Sequence, residues 1–420
     1  MNGIAWIVLA ALLIDFGLNW VADHLNLKAQ PDRPPEAFKA FFKNEEYQRS
    51  RHYLRVNTHF GRLDETVQLT AVLIFWFGGG FPALDFWVRS FQWGPIVSGL
   101  VFIGVLAALR FLLSLPFSFY HTFVIEERFG FNRTTWRTFI SDRVKGALLV
   151  ILLGGPLLAG ILFFFQAAGA LAWLYSWGAV IAYMLVMQYI APTWIMPIFN
   201  RFEPLKDAQL EEDIRRYARS IDFPLRNVFV MDGSKRSGKG NAFFTGFGHN
   251  KRIVLFDTLI RKHDRRELVA ILAHEMGHYK QHHVIMGLAM GIVQTGVMFY
   301  LLALCIGHQA LFEAFYMPHP SVYAGLTLFG LLYAPVDFFT GLLAMMMSRR
   351  NEYAADRYAV ATTGSGQALA NALQKLSVHH LSNLSPHPFY VFLNYSHPPV
   401  MQRMAAIQRH SSLLYDGLAA

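Results

Sequence analysis

GALLVILLGGPLLAGILFFFQAAGALAWLYSWGAVIAYMLVMQYIAPTWIMPIFN, residues Gly146 to Asn200, contains no Asp, Glu, Lys or Arg. A helix crosses the hydrocarbon core of a bilayer with about 20 mostly apolar residues. The stretch is long enough for two such helices, Gly146 to Phe165 and Leu171 to Pro197, and must turn back near Gln166 to Gly169. It marks the chain as a polytopic membrane protein.

Outward from it lie further apolar runs of spanning length at Ile4 to Val21, Val67 to Val88, Gly94 to Phe117, Val284 to Ile306 and Tyr323 to Met347, seven spans in all. Composition agrees: 54% of the 420 residues are hydrophobic and 15% charged, too apolar for an ordinary soluble domain. The first run has no basic residue before it and no small-residue cleavage pattern after it, and it contains Asp15, so it is expected to be a retained span rather than a secretory signal. The single cysteine, Cys305, lies in an apolar run, which excludes an intrachain disulfide and makes a thiol nucleophile improbable.

Basic residues gather on one side. Lys28, Arg33, Lys39, Lys43, Arg49, Arg51, Arg55 and Arg62 lie between spans one and two, and Arg128, Arg133, Arg137, Arg143 and Lys145 between three and four. A long basic segment joins five and six, whereas the opposite loops are short and have Arg89 as their clear basic residue. The positive-inside rule places the amino terminus outside and the three long loops and carboxyl-terminal tail in the cytoplasm. Topology thus accounts for the net charge of +9 without nucleic acid; the partner of these cations is the lipid bilayer. Asp15, Asp85, Arg110 and Asp337 fall within or at the ends of spans, where they either line a water-filled cavity or pair between helices.

The largest polar stretch, Arg201 to His283, starts with an amphipathic helix around Gln209 to Ile221. Strand-like runs follow at Asn227 to Met231, Asn241 to Phe247 and Arg252 to Phe256. From Arg265 the pattern becomes helical and carries His274-Glu275-Met276-Gly277-His278. Four residues make about one helical turn, so both imidazoles project from one face and can share a Zn²⁺ ion, and Glu275 can act as base toward the water that the ion activates. Taken alone, the five residues also fit a helix with two surface histidines and a Glu.

A third ligand narrows the choice. The metzincin extension is absent, with Gln281 and Val284 at its Gly and His positions. Beyond span seven, Ser348-Arg349-Arg350-Asn351-Glu352-Tyr353-Ala354-Ala355-Asp356 carries carboxylates one turn apart. Glu352 would complete a His₂Glu site with one open position, and Asp356 could take the second ring N–H of a histidine ligand. The His274 helix enters span six and Glu352 follows span seven, so the antiparallel pair returns all three ligands to one membrane face.

At this point the chain resembles the type I CAAX prenyl protease family, seven-span zinc endopeptidases of the gluzincin type. The likeness also rests on Pro116-Phe117-Ser118-Phe119-Tyr120, Phe123-Val124-Ile125-Glu126-Glu127, Gly130-Phe131-Asn132, Asn241-Ala242-Phe243-Phe244-Thr245-Gly246-Phe247, and His397-Pro398-Pro399 with Arg403. The resemblance implies that the strand of Asn241, Ala242 and Phe243 holds the substrate backbone, that His397 stabilises the oxyanion, and that Arg403 supports the carboxylates near the metal. It implies an intramembrane chamber and cleavage near the carboxyl terminus of prenylated substrates. On the residues alone, Asn241 reads first as a turn residue, and His397 before two prolines reads first as a helix end.

The expected fold is therefore mainly α: a seven-transmembrane-helix protein with a cytoplasmic gluzincin-like metallopeptidase part containing a small β-sheet. Residues 1–200 form the membrane region with five spans and two basic loops, 201–283 a peptidase segment, 284–347 spans six and seven, and 348–420 a second peptidase segment with the third ligand. The expected cofactor is one Zn²⁺ and the partner a peptide or protein, prenylated or not. The tail, Gly417-Leu418 to Ala420 included, lacks the basic retrieval signal of an endoplasmic-reticulum member, which points to a bacterial inner membrane; a eukaryotic member would reside in the endoplasmic reticulum.

Other signals are set aside. Gly233-Ser234-Lys235-Arg236-Ser237-Gly238-Lys239-Gly240 nearly matches a P-loop, but Gly240 replaces the Mg²⁺-binding Ser or Thr and a strand follows; it is read as a basic hairpin loop, with no nucleotide. His282, His283, His379, His380 and His387 lack one-turn spacing and are read as surface histidines. Two alternatives to a prenyl-substrate endopeptidase stand beside it: a membrane quality-control metalloprotease acting on unprenylated substrates, and a transporter or scaffold with structural zinc. Against the last stands Glu275, which a structural site does not need.

Overall fold

The computed structural model describes residues 1–245 and 251–419. Gly246 and Phe247 of the expected strand-like run from Asn241, and the terminal Ala420, lie outside the described residues.

Among the described residues, five helices are long and apolar enough to cross a membrane: Gly3–Lys28, Pro95–Glu126, Trp136–Ala167, Gly169–Phe199 and His283–Cys305. The two remaining expected spans are not straight helices. Asn44–Phe77 and Gly80–Ser90 meet at 64°, and Val322–Leu332 and Ala334–Thr363 at 55°; counting each bent pair as one span gives seven. The first bend sits on Gly78 and Gly79, whose positive φ of 73° costs a glycine nothing. At the second, Pro335 falls in the first turn of the new helix, where its missing N–H is no loss although its ring would clash with the preceding turn of a continuous one. The turn expected near Gln166 to Gly169 is present, with Gly169 at φ 54°.

The membrane half packs around Trp76, Phe81, Phe102, Leu162, Phe299 and Phe315. Trp76 satisfies its indole N–H on the Ala314 carbonyl at 2.9 Å. Of the charges inside spans, Asp85 is 2% exposed and accepts from Arg89 at 2.7 Å and Tyr323 at 2.5 Å. Asp337 accepts from Gln294 across spans six and seven at 3.3 Å. Pairing between groups therefore accounts for both.

The peptidase half contains a four-stranded sheet of β1 (Phe202–Pro204), β2 (Leu225–Met231), β3 (Ala242–Thr245) and β4 (Lys251–Phe256) in the order β1-β2-β4-β3. β2 and β4 are parallel, in register Val228↔Ile253, while β3 runs antiparallel to β4 with Ala242 opposite Leu255. The chain between β2 and β3 thus crosses over β4 to reach the outer edge, so Gly233–Gly240 is a crossover and not a hairpin. β1, three residues long, gave no alternation to read.

One core joins this sheet to the helices Ala208–Ser220, Arg265–Lys280 and Gly366–His379. Leu210, Ile214, Ile253, Leu255 and Leu272 are at most 1% exposed, each worth roughly 1.5–3 kcal/mol of burial. The helix carrying His274 begins in a reciprocal cap. Asp264 accepts the Glu267 N–H at 3.0 Å and Glu267 accepts the Asp264 N–H at 3.1 Å, satisfying two otherwise unpaired donors.

Candidate metal centre

His274 and His278 lie one turn apart on the helix Arg265–Lys280, and Glu352 and Asp356 one turn apart on Ala334–Thr363. The two helices approach at Gly277, the second variable residue of the histidine motif. A Cβ there would come within 3.2 Å of Tyr358 and 3.3 Å of the Ala355 backbone. This close approach lets a glutamate side chain reach the imidazoles.

The donor atoms converge. His274 Nε2 stands 3.1 Å from His278 Nε2 and 3.4 Å from Glu352 Oε2, and His278 Nε2 stands 3.2 Å from Glu352 Oε1. Ligands 2.0–2.1 Å from a tetrahedral zinc sit ~3.3 Å from one another, so the set has the size of such a site. A second observation fits it: Glu352, 4% exposed, has a buried Oε2 without a hydrogen-bond donor in alignment, although Arg403 Nη1 lies 3.1 Å away. A bound cation would satisfy that oxygen.

The remaining ring nitrogens are held. Asp356, 1% exposed, lies 2.9 Å from His274 Nδ1. Its carboxylate accepts that proton and leaves Nε2 with a free lone pair. Arg403 grips the same carboxylate through Nε at 2.8 Å and Nη2 at 2.7 Å. On the other histidine, His278 Nδ1 meets His283 Nδ1 at 2.9 Å.

Glu275 is half-buried beside these groups and lines two cavities. Burial pushes its carboxyl above the ordinary value, against the pull of His274 and His278. The first cavity, about 370 Å³, is also lined by Gly240, Asn241 and Ala242, by Ile271, Leu373 and Leu376, and by His397 and Arg403. The second, about 380 Å³, lies on the side of spans six and seven between Phe243, Phe244, His283, Met290 and Met347. The site therefore opens both along the sheet edge and toward the membrane helices.

His397 is 64% exposed, with Nε2 3.3 Å from Glu352 Oε1 and Nδ1 2.9 Å from Ser396 Oγ. Arg349 reaches the carbonyls of Val391, at 3.3 Å, and Tyr395, tying down the segment that delivers His397. Asn241 is exposed just before β3; its carbonyl accepts from Phe256 N–H at 2.9 Å and its side-chain oxygen from Ala242 N–H at 2.8 Å. Since Asn241 bonds to β4, alternation turns the backbone of Ala242 and Phe244 to the free edge.

All ten residues singled out from the sequence, His274, Glu275, His278, Glu352, Asp356, His397, Arg403, Asn241, Ala242 and Phe243, thus border one region. Sequence reasoning missed Gly277, His283 and His380. Of the five histidines read as surface groups, only His282 is exposed. His283 touches His278, and His387 caps a helix by accepting the Phe389 N–H at 3.2 Å. His380 lines the first cavity and accepts the Gly240 N–H at 3.1 Å on Nε2. Burial, with Lys239 and Lys262 nearby, lowers its pKa to about 4, so the ring is a neutral acceptor near pH 7.

Comparison with known proteins agrees with this architecture. Residues 23–201 match the family model described as CAAX prenyl protease N-terminal, five membrane helices, and residues 204–411 match that of peptidase family M48. The chain is 36% identical over 385 residues to a CAAX prenyl protease 1 homolog of Arabidopsis thaliana, covering 89% of this chain and 90% of that one. It is 31% identical to the Homo sapiens homolog, covering 89% and 88%. The crystal structure of S. mikatae Ste24p superposes with a TM-score of 0.92 at 29% identity, covering 97% of this chain and 99% of the other. By these matches the chain belongs to the CAAX prenyl protease 1 family of M48 peptidases, and it is a multi-pass membrane metalloendopeptidase.

Proposed function

We propose that the chain hydrolyses peptide bonds near the carboxyl terminus of prenylated CAAX substrates, with one Zn²⁺ ion held by His274, His278 and Glu352. The observation that carries the metal assignment is the spacing of the three donor atoms, 3.1 to 3.4 Å apart, around a buried carboxylate oxygen left without an aligned donor. The substrate class rests on the names of the relatives.

When bound, zinc supplies Lewis acidity, polarising a carbonyl and lowering the pKa of water toward ~7. The protein does the rest. An extended peptide adds to β3 and takes up the outward backbone groups of Ala242 and Phe244. Glu275 takes a proton from the attacking water and passes it to the nitrogen of the leaving amine. His397, through Nε2–H, donates to the oxygen on which negative charge develops. Asp356 keeps the proton of His274 on Nδ1, and Arg403 holds Asp356 ionised and in place. The basic loops favour an active site on the cytoplasmic side.

The test is cleavage of a farnesylated CAAX peptide and its unprenylated twin by the purified chain in detergent, with chelator and Glu275→Gln controls. Metal-dependent release of the carboxyl-terminal tripeptide from the prenylated peptide alone is expected. Equal cleavage of both would point to a quality-control protease, and zinc binding with cleavage of neither would sink the substrate assignment.

A further inference from the structure

His283 opens the helix of span six, five residues after His278. In an unbroken helix at 3.6 residues per turn, residue i+5 points about 140° away from residue i. It could not face the same ring. Here the helix Arg265–Lys280 stops, Gln281 closes its last turn, and His282 takes a left-handed backbone with φ 59° and ψ 23°. That conformation is unfavourable for a residue with a Cβ, yet it folds the chain so that the His283 ring returns to His278. The ring centroids are 5.0 Å apart at an interplanar angle of 69°, and the two Nδ1 atoms are 2.9 Å apart.

Two Nδ1 atoms at this distance share a single proton. His278 presents Nε2 to the metal centre, so its Nδ1 carries the proton and His283 accepts it, its own proton standing on Nε2 beside the membrane-side cavity. His274 has the same arrangement with a different acceptor, Asp356. One ligand is thus oriented by a carboxylate and the other by a neutral imidazole.

We propose that His283 is a positioning residue of the metal centre: by accepting the Nδ1 proton of His278 it fixes the tautomer and ring orientation with which His278 binds the metal. The inference rests on the reading of His274, His278 and Glu352 as zinc ligands. An imidazole acceptor adds no negative charge to a site whose ligand set already includes Glu352, which leaves the ion more electrophilic than a second carboxylate would.

The experiment is zinc competition against a chromophoric chelator, using full-length protein in detergent, with His283→Leu and His283→Asn; the Asn side-chain oxygen occupies roughly the place of Nδ1. His283→Leu should weaken zinc binding about 10- to 100-fold, and His283→Asn should recover most of it. Cobalt-substituted protein should show visible bands displaced in His283→Leu and near their wild-type positions in His283→Asn. Wild-type affinity and unchanged cobalt bands in His283→Leu would overturn the proposal, and so would equal losses in both variants, because the hydrogen bond would then not be the cause. Wild-type protein that binds no zinc would instead remove the ligand assignment itself. Thermal melting at saturating zinc separates either result from misfolding.

Discussion

Arg403 clamps Asp356 with two parallel bonds, Nε to Oδ2 at 2.8 Å and Nη2 to Oδ1 at 2.7 Å, and the pair is almost wholly buried, at 9% and 1% exposure. The same guanidinium stands 3.1 Å from Glu352 Oε2. A buried ion pair need not stabilise a fold, but removing one partner strands the other. Arg403→Leu should therefore destabilise the protein by about 3–5 kcal/mol and reduce bound zinc. Arg403→Lys keeps the charge, loses the fork, and should fall between. Melting in detergent with zinc analysis reads both effects; a wild-type melting temperature for Arg403→Leu would refute the clamp's importance.

Glu275 lies in the field of Arg403 but belongs neither to the Arg403–Asp356 fork nor to the converging donor set of His274, His278 and Glu352. Glu275→Gln should keep stoichiometric zinc and the melting temperature while turnover falls ~10²- to 10⁴-fold, the range general base catalysis contributes. Retained cleavage would remove Glu275 from its role; lost zinc would make it structural.

The free edge of β3 gives a test of substrate alignment. Ala242→Pro deletes an N–H that points away from β4 and is taken by the Asn241 side chain, so the ladder to β4 survives. Phe243→Pro deletes one that points into the ladder, opposite Val254. Ala242→Pro should lower kcat/KM about tenfold, the worth of one backbone hydrogen bond, with little change in melting, whereas Phe243→Pro should destabilise the sheet. Unchanged kcat/KM in Ala242→Pro would show that the Ala242 N–H stays with the Asn241 side chain and gives no bond to the substrate.

What the sequence revealed depended on how local each signal is. His274, Glu275 and His278 are spaced by one helical turn, a relation that holds wherever the helix sits. Glu352 and Asp356 needed the further step that two antiparallel spans return the chain to the same face. The bends were not legible, because Gly78-Gly79 and Pro335 lie inside apolar runs that read the same straight or broken. The strand order escaped because β4 inserts between β2 and β3, a long-range choice that no alternation pattern records. His283 was hidden for a backbone reason: only the left-handed turn at His282 brings its ring to His278.

Gly277 is where the helix of His274 and His278 touches that of Glu352. Gly277→Ala must displace Tyr358 or the Ala355 backbone by a few tenths of an ångström. Overpacking of this kind costs about 1–3 kcal/mol, and it should also move Glu352 away from the imidazoles. Zinc affinity should fall alongside stability, and more steeply in Gly277→Val. A Gly277→Val protein with wild-type zinc affinity would show that Glu352 reaches the site without close helix packing.

His380 gives a pH-dependent test. Its Nε2 accepts from Gly240, next to the Asn241 strand, only while unprotonated, and its folded pKa of about 4 lies below the ordinary histidine value of 6.5. The unfolded chain therefore binds the proton first. The stabilising contribution is fully present above pH 6.5 and is lost as pH falls from 6.5 to about 4. His380→Gln, whose side-chain oxygen can replace Nε2 as acceptor, does not titrate there. Its melting temperature should fall less than the wild type's between pH 7 and 4.5, while KM at pH 7 stays near wild type. His380→Leu removes the acceptor, frees Gly240, and should raise KM at every pH. Parallel wild-type and His380→Gln melting curves across that interval would show that His380 is not the group whose protonation loosens the cavity wall.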